Sequence, residues 1–150
     1  LSVVERTAEA DRERVYALIR SGVFKSDRVS IDPAFVLAQS GERYANWLKQ
    51  MLAGGGFLYE VLQGERPIGF FVVTRVDEHT VDPVLMGLYD EAHDRGMGAL
   101  LHKKTLDTCF THACTRLAST IVSNNAKVLR VYVNAGATIT DTLYTYVKHL

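Results

Sequence analysis

Between Val84 and Leu101 the chain passes from an apolar run, Val84 to Tyr89, through a polar stretch and two closely spaced glycines into a helix-like pattern. Gly96 and Gly98 remove side chains where backbone amides would meet a ligand. The first turn of a helix leaves several N–H groups without internal partners and carries the positive end of the dipole. The combination predicts an anion site suited to phosphate. A Walker A loop is excluded, because no Gly-Lys-Ser/Thr ending follows. A dinucleotide fingerprint fails as well, since Leu101 stands where its third glycine belongs. The plain alternative is a β-to-α turn in which the glycines serve only backbone geometry.

A second constellation lies downstream in Ser123-Asn124-Asn125, followed by Val128, Leu129, Tyr132 and Gly136. Asn125 and Tyr132 are about two helical turns apart and so share one face of a helix. Val128 and Leu129 give that face an apolar stripe. Read alone, the pair could be an Asn N-cap and a buried Tyr.

Together the two stretches resemble the GNAT superfamily of acyl-CoA-dependent N-acetyltransferases. The pyrophosphate loop of that superfamily has the pattern Gln/Arg-x-x-Gly-x-Gly/Ala, matched here by His93-x-x-Gly96-x-Gly98 with Met86-Gly87-Leu88 on the preceding strand. Its Asn, Tyr and Gly spacing is matched by Asn125, Tyr132 and Gly136. His93 replaces the usual Gln or Arg, and Ala137 replaces a core Phe. The resemblance runs from roughly Gly54 to the C-terminus. It implies an α/β (α+β) GNAT fold: a mixed, mostly antiparallel central sheet flanked by helices and splayed at the cofactor site.

The resemblance also implies acetyl-CoA as cosubstrate, with no metal. Amides of Arg95, Gly96, Met97, Gly98 and Ala99 would hold the pyrophosphate, with Arg95 adding charge. Backbone groups around Leu88, joined by those of Asp90, would pair with pantetheine, and Asn125 would contact the cofactor arm. Tyr132 would be the general acid that protonates the departing thiolate. The implied reaction is direct attack of a neutral primary amine of a small molecule on the thioester. Glu60, His79, Asp82, Tyr89 and Asp90 are candidate bases, with a water relay as the alternative and His79 also readable as a solvated turn residue. Ser123-Asn124-Asn125 with Val128 and Tyr132 resembles bacterial acetyltransferases acting on amino groups of nucleotide-linked sugars. Tyr44, Trp47 and Tyr146 are aromatic candidates for the acceptor side. A rival from another class is a catalytically silent acyl-CoA-binding sensor or assembly domain, which the unusual His93 favours. A longer acyl chain and a homodimer through the C-terminal strands are both compatible with the family.

Seventeen Lys and Arg balance seventeen Asp and Glu, and no basic run is present. Neither nucleic acid nor an anionic membrane is therefore expected as a partner. No apolar stretch is long enough to span a bilayer and none at the start resembles a signal peptide, so the expected location is cytoplasmic. Residues 1–150 are expected to form a single domain. Ser2 to Glu5 reads as a strand, with Thr7 capping a helix that runs to Ser21-Gly22. A second helix starts at Asp32-Pro33, breaks or kinks at Gly41 and ends at Gly54-Gly55-Gly56. The period then switches to two: strands at Phe57–Leu62, Ile68–Val76 and Val81–Tyr89 form a meander, interrupted near Pro83. Helix from Gly98 to about Ala113, strand from Leu117 to Val122, helix from Asn125 to Ala135 and two closing strands, Ala137–Thr140 and Leu143–Lys148, complete the order. Cys109 and Cys114 are placed in one helix on different faces, as reduced thiols without metal-ligand spacing.

Overall fold

In a computed structural model the described residues are 1–24, 37–89 and 96–144. They divide into two compact units, Leu1–Thr120 and Ile121–Leu150.

The first unit is built on a five-stranded sheet in the order β1-β2-β3-β4-β5. The strands are β1 (Ser2–Glu5), β2 (Phe57–Gln63), β3 (Arg66–Arg75), β4 (Thr80–Leu88) and β5 (Arg116–Leu117). Neighbours are antiparallel except β5, which runs parallel to β4, so the sheet is mixed as the resemblance implied. The Gly64-Glu65 turn joins β2 to β3, with Gly64 at a φ of 64° that suits glycine.

Period-two alternation sends the side chains of β2 and β3 to opposite faces. Leu58, Phe70 and Val72 go to one face, where Val15, Tyr16 and Ile19 of α1 (Glu9–Arg20) and Ala45, Leu48 and Leu52 of α2 (Leu37–Ala53) cover them. Val61, Phe71 and Val73 go to the other, under Leu101 and Cys109 of α3 (Gly98–Cys109). Each fully buried Leu or Phe in these layers contributes about 1.5–3 kcal/mol.

Several local expectations are corrected. The α1 N-cap is Ala8 rather than Thr7, and it makes no side-chain cap bond. Helix α2 runs through Gly41 without a break, and a Cβ at that position would lie 2.9 Å from the Arg20 carbonyl oxygen. Gly41 is therefore the contact point of two helices rather than a breaker. The start of that helix at Asp32-Pro33 lies outside the described residues. Helix α3 stops at Cys109, and a 3₁₀ turn, Phe110–His112, with left-handed Ala113 (φ 53°) returns the chain to the core. Cys109 and Cys114 consequently pack in the same cluster instead of on different faces, and the Cys114 Sγ donates to the Cys109 carbonyl at 3.2 Å.

The fifth strand has only two residues, where Leu117 to Val122 was expected. In the second unit α4 (Ala126–Asn134) forms as expected. The closing strand at Ala137–Thr140 is absent: residues 137–144 carry no strand and Ile139, Leu143 and Tyr144 are exposed. Alternation of Thr with apolar residues there lacks a described partner strand, without which a period-two pattern has no ladder to join. The rest of the last strand, including Tyr146, lies outside the described residues.

Candidate active site

Two features of β4 make a site. The first is its edge. The Tyr89 N–H donates to the Ile68 carbonyl at 3.0 Å, so Tyr89 points its backbone groups at β3. Alternation then turns those of Leu88 and Met86 away from β3, towards the side where β5 would lie. Strand β5 pairs only with Thr80 and Val81, and the Ala118 N–H closes the ladder on the Val81 carbonyl at 3.0 Å. From Asp82 to Leu88 that edge pairs with no strand among the described residues. A register shift between Val72 and Thr74 puts Pro83 and Val84 opposite Val73 alone. This is a bulge, and proline is tolerated there because the ladder asks for no N–H.

The second feature is the turn into α3. Gly96 has a φ of 67°, a left-handed conformation that glycine adopts without cost, and no described atom lies within 4 Å of where its Cβ would be. Met97 precedes the helix without a side-chain cap, leaving the first amides of Gly98, Ala99 and Leu100 for an outside acceptor. A Cβ on Gly98 would sit 3.8 Å from the Leu88 side chain, so the helix start rests on the strand whose edge is open. An extended chain ending in phosphates fits this pairing of a bare strand edge with a glycine-lined helix N-terminus. His93 and Arg95, the other half of the motif, lie outside the described residues, as does Asp90.

A model of the acetyltransferase (GNAT) family matches residues 26–137. The chain belongs to this family. Its fold is shared with a GNAT family acetyltransferase from Elizabethkingia anophelis with acetyl-CoA bound, at 18% identity and a TM-score of 0.63, over 93% of this chain and 77% of that one. It is also shared with the aminoglycoside antibiotic 6'-N-acetyltransferase AAC(6')-IG from Acinetobacter haemolyticus, at 11% identity and a TM-score of 0.62, over 100% and 99% of the two chains. A third similar structure is AAC(6')-Iy in complex with a bisubstrate analogue, CoA-S-monomethyl-acetylneamine, at 12% identity and a TM-score of 0.60, over 100% of both chains. A comparison with curated protein sequences finds no match. The protein is thus an acetyltransferase of the GNAT class.

Among the described residues of this GNAT acetyltransferase no group of His, Cys, Asp and Glu is placed to hold a metal. None of its described helices is long and apolar enough to cross a membrane.

Four of the five candidate bases now separate, Asp90 lying outside the described residues. Glu60 is completely buried on β2. It accepts from Arg6 Nε at 2.8 Å, from both Nη atoms of Arg14 and from Tyr89 Oη at 2.5 Å. Burial alone would raise its pKa, but the hydrogen bonds from Arg14, Tyr89 and Arg6 and the Arg14 charge prevail and hold it below the usual carboxylate range. Every lone pair that could take a proton is occupied. Tyr89, also buried, is pushed far up by burial and by the Glu60 charge, so it stays a phenol. His79 is an exposed turn residue whose N–H donates to Asp77 Oδ1 at 2.8 Å, in line with the solvated reading.

Asp82 differs from all of these. It stands on β4 opposite Thr74, one residue past the last β5 pair, at the vertex where the strands part. Its Oδ1 is buried with no hydrogen-bond partner among the described residues. Burial pushes the carboxyl up to about 6, with the Ser119 hydroxyl offsetting a part. Nothing in the sequence distinguished it from Glu60.

On the second unit Asn125 caps α4, its Oδ1 accepting from the Val128 N–H at 3.4 Å. Tyr132 is buried, with 5% of its surface exposed. Tyr44 and Trp47 lie on α2, where Tyr44 packs 4.3 Å from the Phe24 ring and 6.1 Å from Trp47, which is partly exposed.

Proposed function

We propose that this acetyltransferase moves the acetyl group of acetyl-CoA to a primary amine of a small molecule by direct attack. The observation that carries the reading is the open β4 edge ending at Leu88, next to the Gly96–Gly98 helix start. On this reading the Leu88 backbone pairs with the pantetheine arm. Amides of Arg95, Gly96, Met97, Gly98 and Ala99 take the pyrophosphate, and Asn125 contacts the arm. The activated thioester is what acetyl-CoA supplies; the chain binds it, orients it and moves protons. Outward-pointing amides on the edge are suited to polarising a carbonyl oxygen.

Asp82 takes the proton from the ammonium form of the acceptor. Its support is a half-buried carboxylate whose Oδ1 is buried without a partner among the described residues and whose pKa burial pushes up to about 6, the range in which a general base is most effective. Tyr132 acts as the general acid for the thiolate, a role that the resemblance to the family implies. An amino group on a nucleotide-linked sugar is the acceptor class we favour, from the Ser123-Asn124-Asn125 motif. Two of the similar folds are an aminoglycoside antibiotic 6'-N-acetyltransferase and AAC(6')-Iy in complex with CoA-S-monomethyl-acetylneamine, which supports testing amino-sugar acceptors first. We place its action in the cytoplasm.

Calorimetric titration with CoA and acetyl-CoA tests the cofactor site. The wild type should bind both, and a folded variant carrying Gly96→Asp and Gly98→Asp should bind neither, because added carboxylates repel pyrophosphate. Absence of binding by the wild type would sink the reading. A screen of amine acceptors then tests the class: turnover of amino acids or peptides beside failure of every amino sugar would remove that part.

A further inference from the structure

Four chain segments distant in sequence meet at the buried Glu60 carboxylate. Arg6 follows β1, Arg14 lies on α1, Glu60 on β2, and Tyr89 is the first residue past β4. Tyr89 is held twice. Its N–H is bonded to Ile68, and its hydroxyl to Glu60, while its ring stacks 6.0 Å from Phe70. Leu88, its neighbour, points the opposite way into the cluster under α3, where the start of that helix rests on it. The last turn of β4 is thus clamped from both faces of the sheet, by a charged cluster on one side and by the helix on the other.

We propose that Tyr89, through Glu60 and its two arginines, is a positioning residue for acetyl-CoA, fixing the backbone of Leu88 and the point where the cofactor loop leaves the strand. The inference rests on the assignment of the Leu88 edge to pantetheine. Its physical basis is reach. Leu88 meets the ligand through backbone groups, whose position depends on where the chain is anchored on either side. Tyr89 anchors one side with a hydrogen bond to a fully buried anion, among the stronger kinds of side-chain bond. The anion itself is held in place, because Arg6 just after β1 and Arg14 on α1 bond both of its oxygens. A residue that touches no ligand would in this way set the geometry of one that does, and small misplacements at a reacting centre are costly in rate.

Tyr89→Phe removes the hydroxyl and keeps the ring in place. Binding of CoA by calorimetry and steady-state kinetics with acetyl-CoA would be compared with Ile19→Val, a mild change in the same core cluster that touches no part of the clamp. Tyr89→Phe should weaken CoA binding by about tenfold and raise KM for acetyl-CoA in step, as expected for displaced contacts. KM for the amine should stay within twofold, roughly the scatter of such constants, because the clamp lies on the donor side. Ile19→Val should lose thermal stability with unchanged CoA affinity. Arg14→Met loosens the same anion from its exposed rim and should give a smaller shift of the same sign, so the proposal stays testable if Tyr89→Phe folds poorly. Equal CoA affinity in wild type, Tyr89→Phe and Arg14→Met, with only thermal stability altered, overturns it. A wild type that binds no CoA overturns the cofactor-site reading instead, which separates the two failures.

Discussion

Glu60 on β2 and Asp82 on β4 are two carboxyls of one sheet, the first fully buried and the second half-buried, and they end in opposite states. Burial raises the pKa of each. Around Glu60 two guanidinium groups and a phenol answer that cost, and the group stays ionised and saturated. Around Asp82 only Ser119 does, and one oxygen has no partner among the described residues. The comparison teaches that burial does not decide what a carboxylate is for. The number of donors around it does: a fully bonded anion ties the fold together, whereas an incompletely bonded one keeps a lone pair for chemistry.

The sharpest way to break this contrast is Asp82→Asn. If Asp82 is the base, kcat/KM for the amine should fall about 10²–10⁴-fold. The acidic limb of the pH–rate profile near 6 should disappear with it. An unchanged profile in a folded variant would return Asp82 to the class of structural residues. Next in size is Glu60→Gln, which should destabilise the fold by about 2–4 kcal/mol, measured by urea unfolding, because it leaves Arg6 and Arg14 without their anion. Their partial exposure keeps the loss at the lower end.

The smallest effect has the opposite sign. The folded pKa of Asp82 lies above the unfolded carboxyl value of about 3.9, so the folded state binds more protons between about 4 and about 6 and stability falls as pH rises through that window. Asp82→Asn should therefore stabilise the protein above pH 6, by about 1–2 kcal/mol. For Glu60 the folded pKa is lowered, so its contribution is present above the unfolded value and is lost as pH falls through the folded one. Thermal melts of wild type and both variants across pH would show one slope vanish in each variant, and a common slope in all three would remove the distinction.

Strand β1, the β2–β3 hairpin, the interruption at Pro83 and helices α1 and α3 were legible because each rests on local periodicity or turn chemistry. The glycine pair at the start of α3 was legible for the same reason. What escaped depends on contacts remote in sequence. Gly41 looks like a breaker until α1 is seen against it. The α3 helix stops at Cys109 because a left-handed Ala113 turns the chain back, which no composition signal announces. The arginines that neutralise Glu60 lie 46 and 54 residues away from it, so the sequence offered Glu60 and Asp82 as equal candidates. The shortness of β5, which creates the open edge, follows from where the chain leaves the sheet rather than from its β-rich sequence.

That open edge has a cost in a crowded solution. A row of unpaired strand groups is a template on which another chain can add, and sheet proteins usually blunt such rows with prolines, bulges or inward-facing charges. The stretch from Asp82 to Leu88 begins with all three: an acidic side chain, a proline without an N–H, and a bulge that breaks the repeat. The residues at the start of this unpaired edge therefore make it a poor fit for a foreign strand and guard the protein against edge-to-edge aggregation.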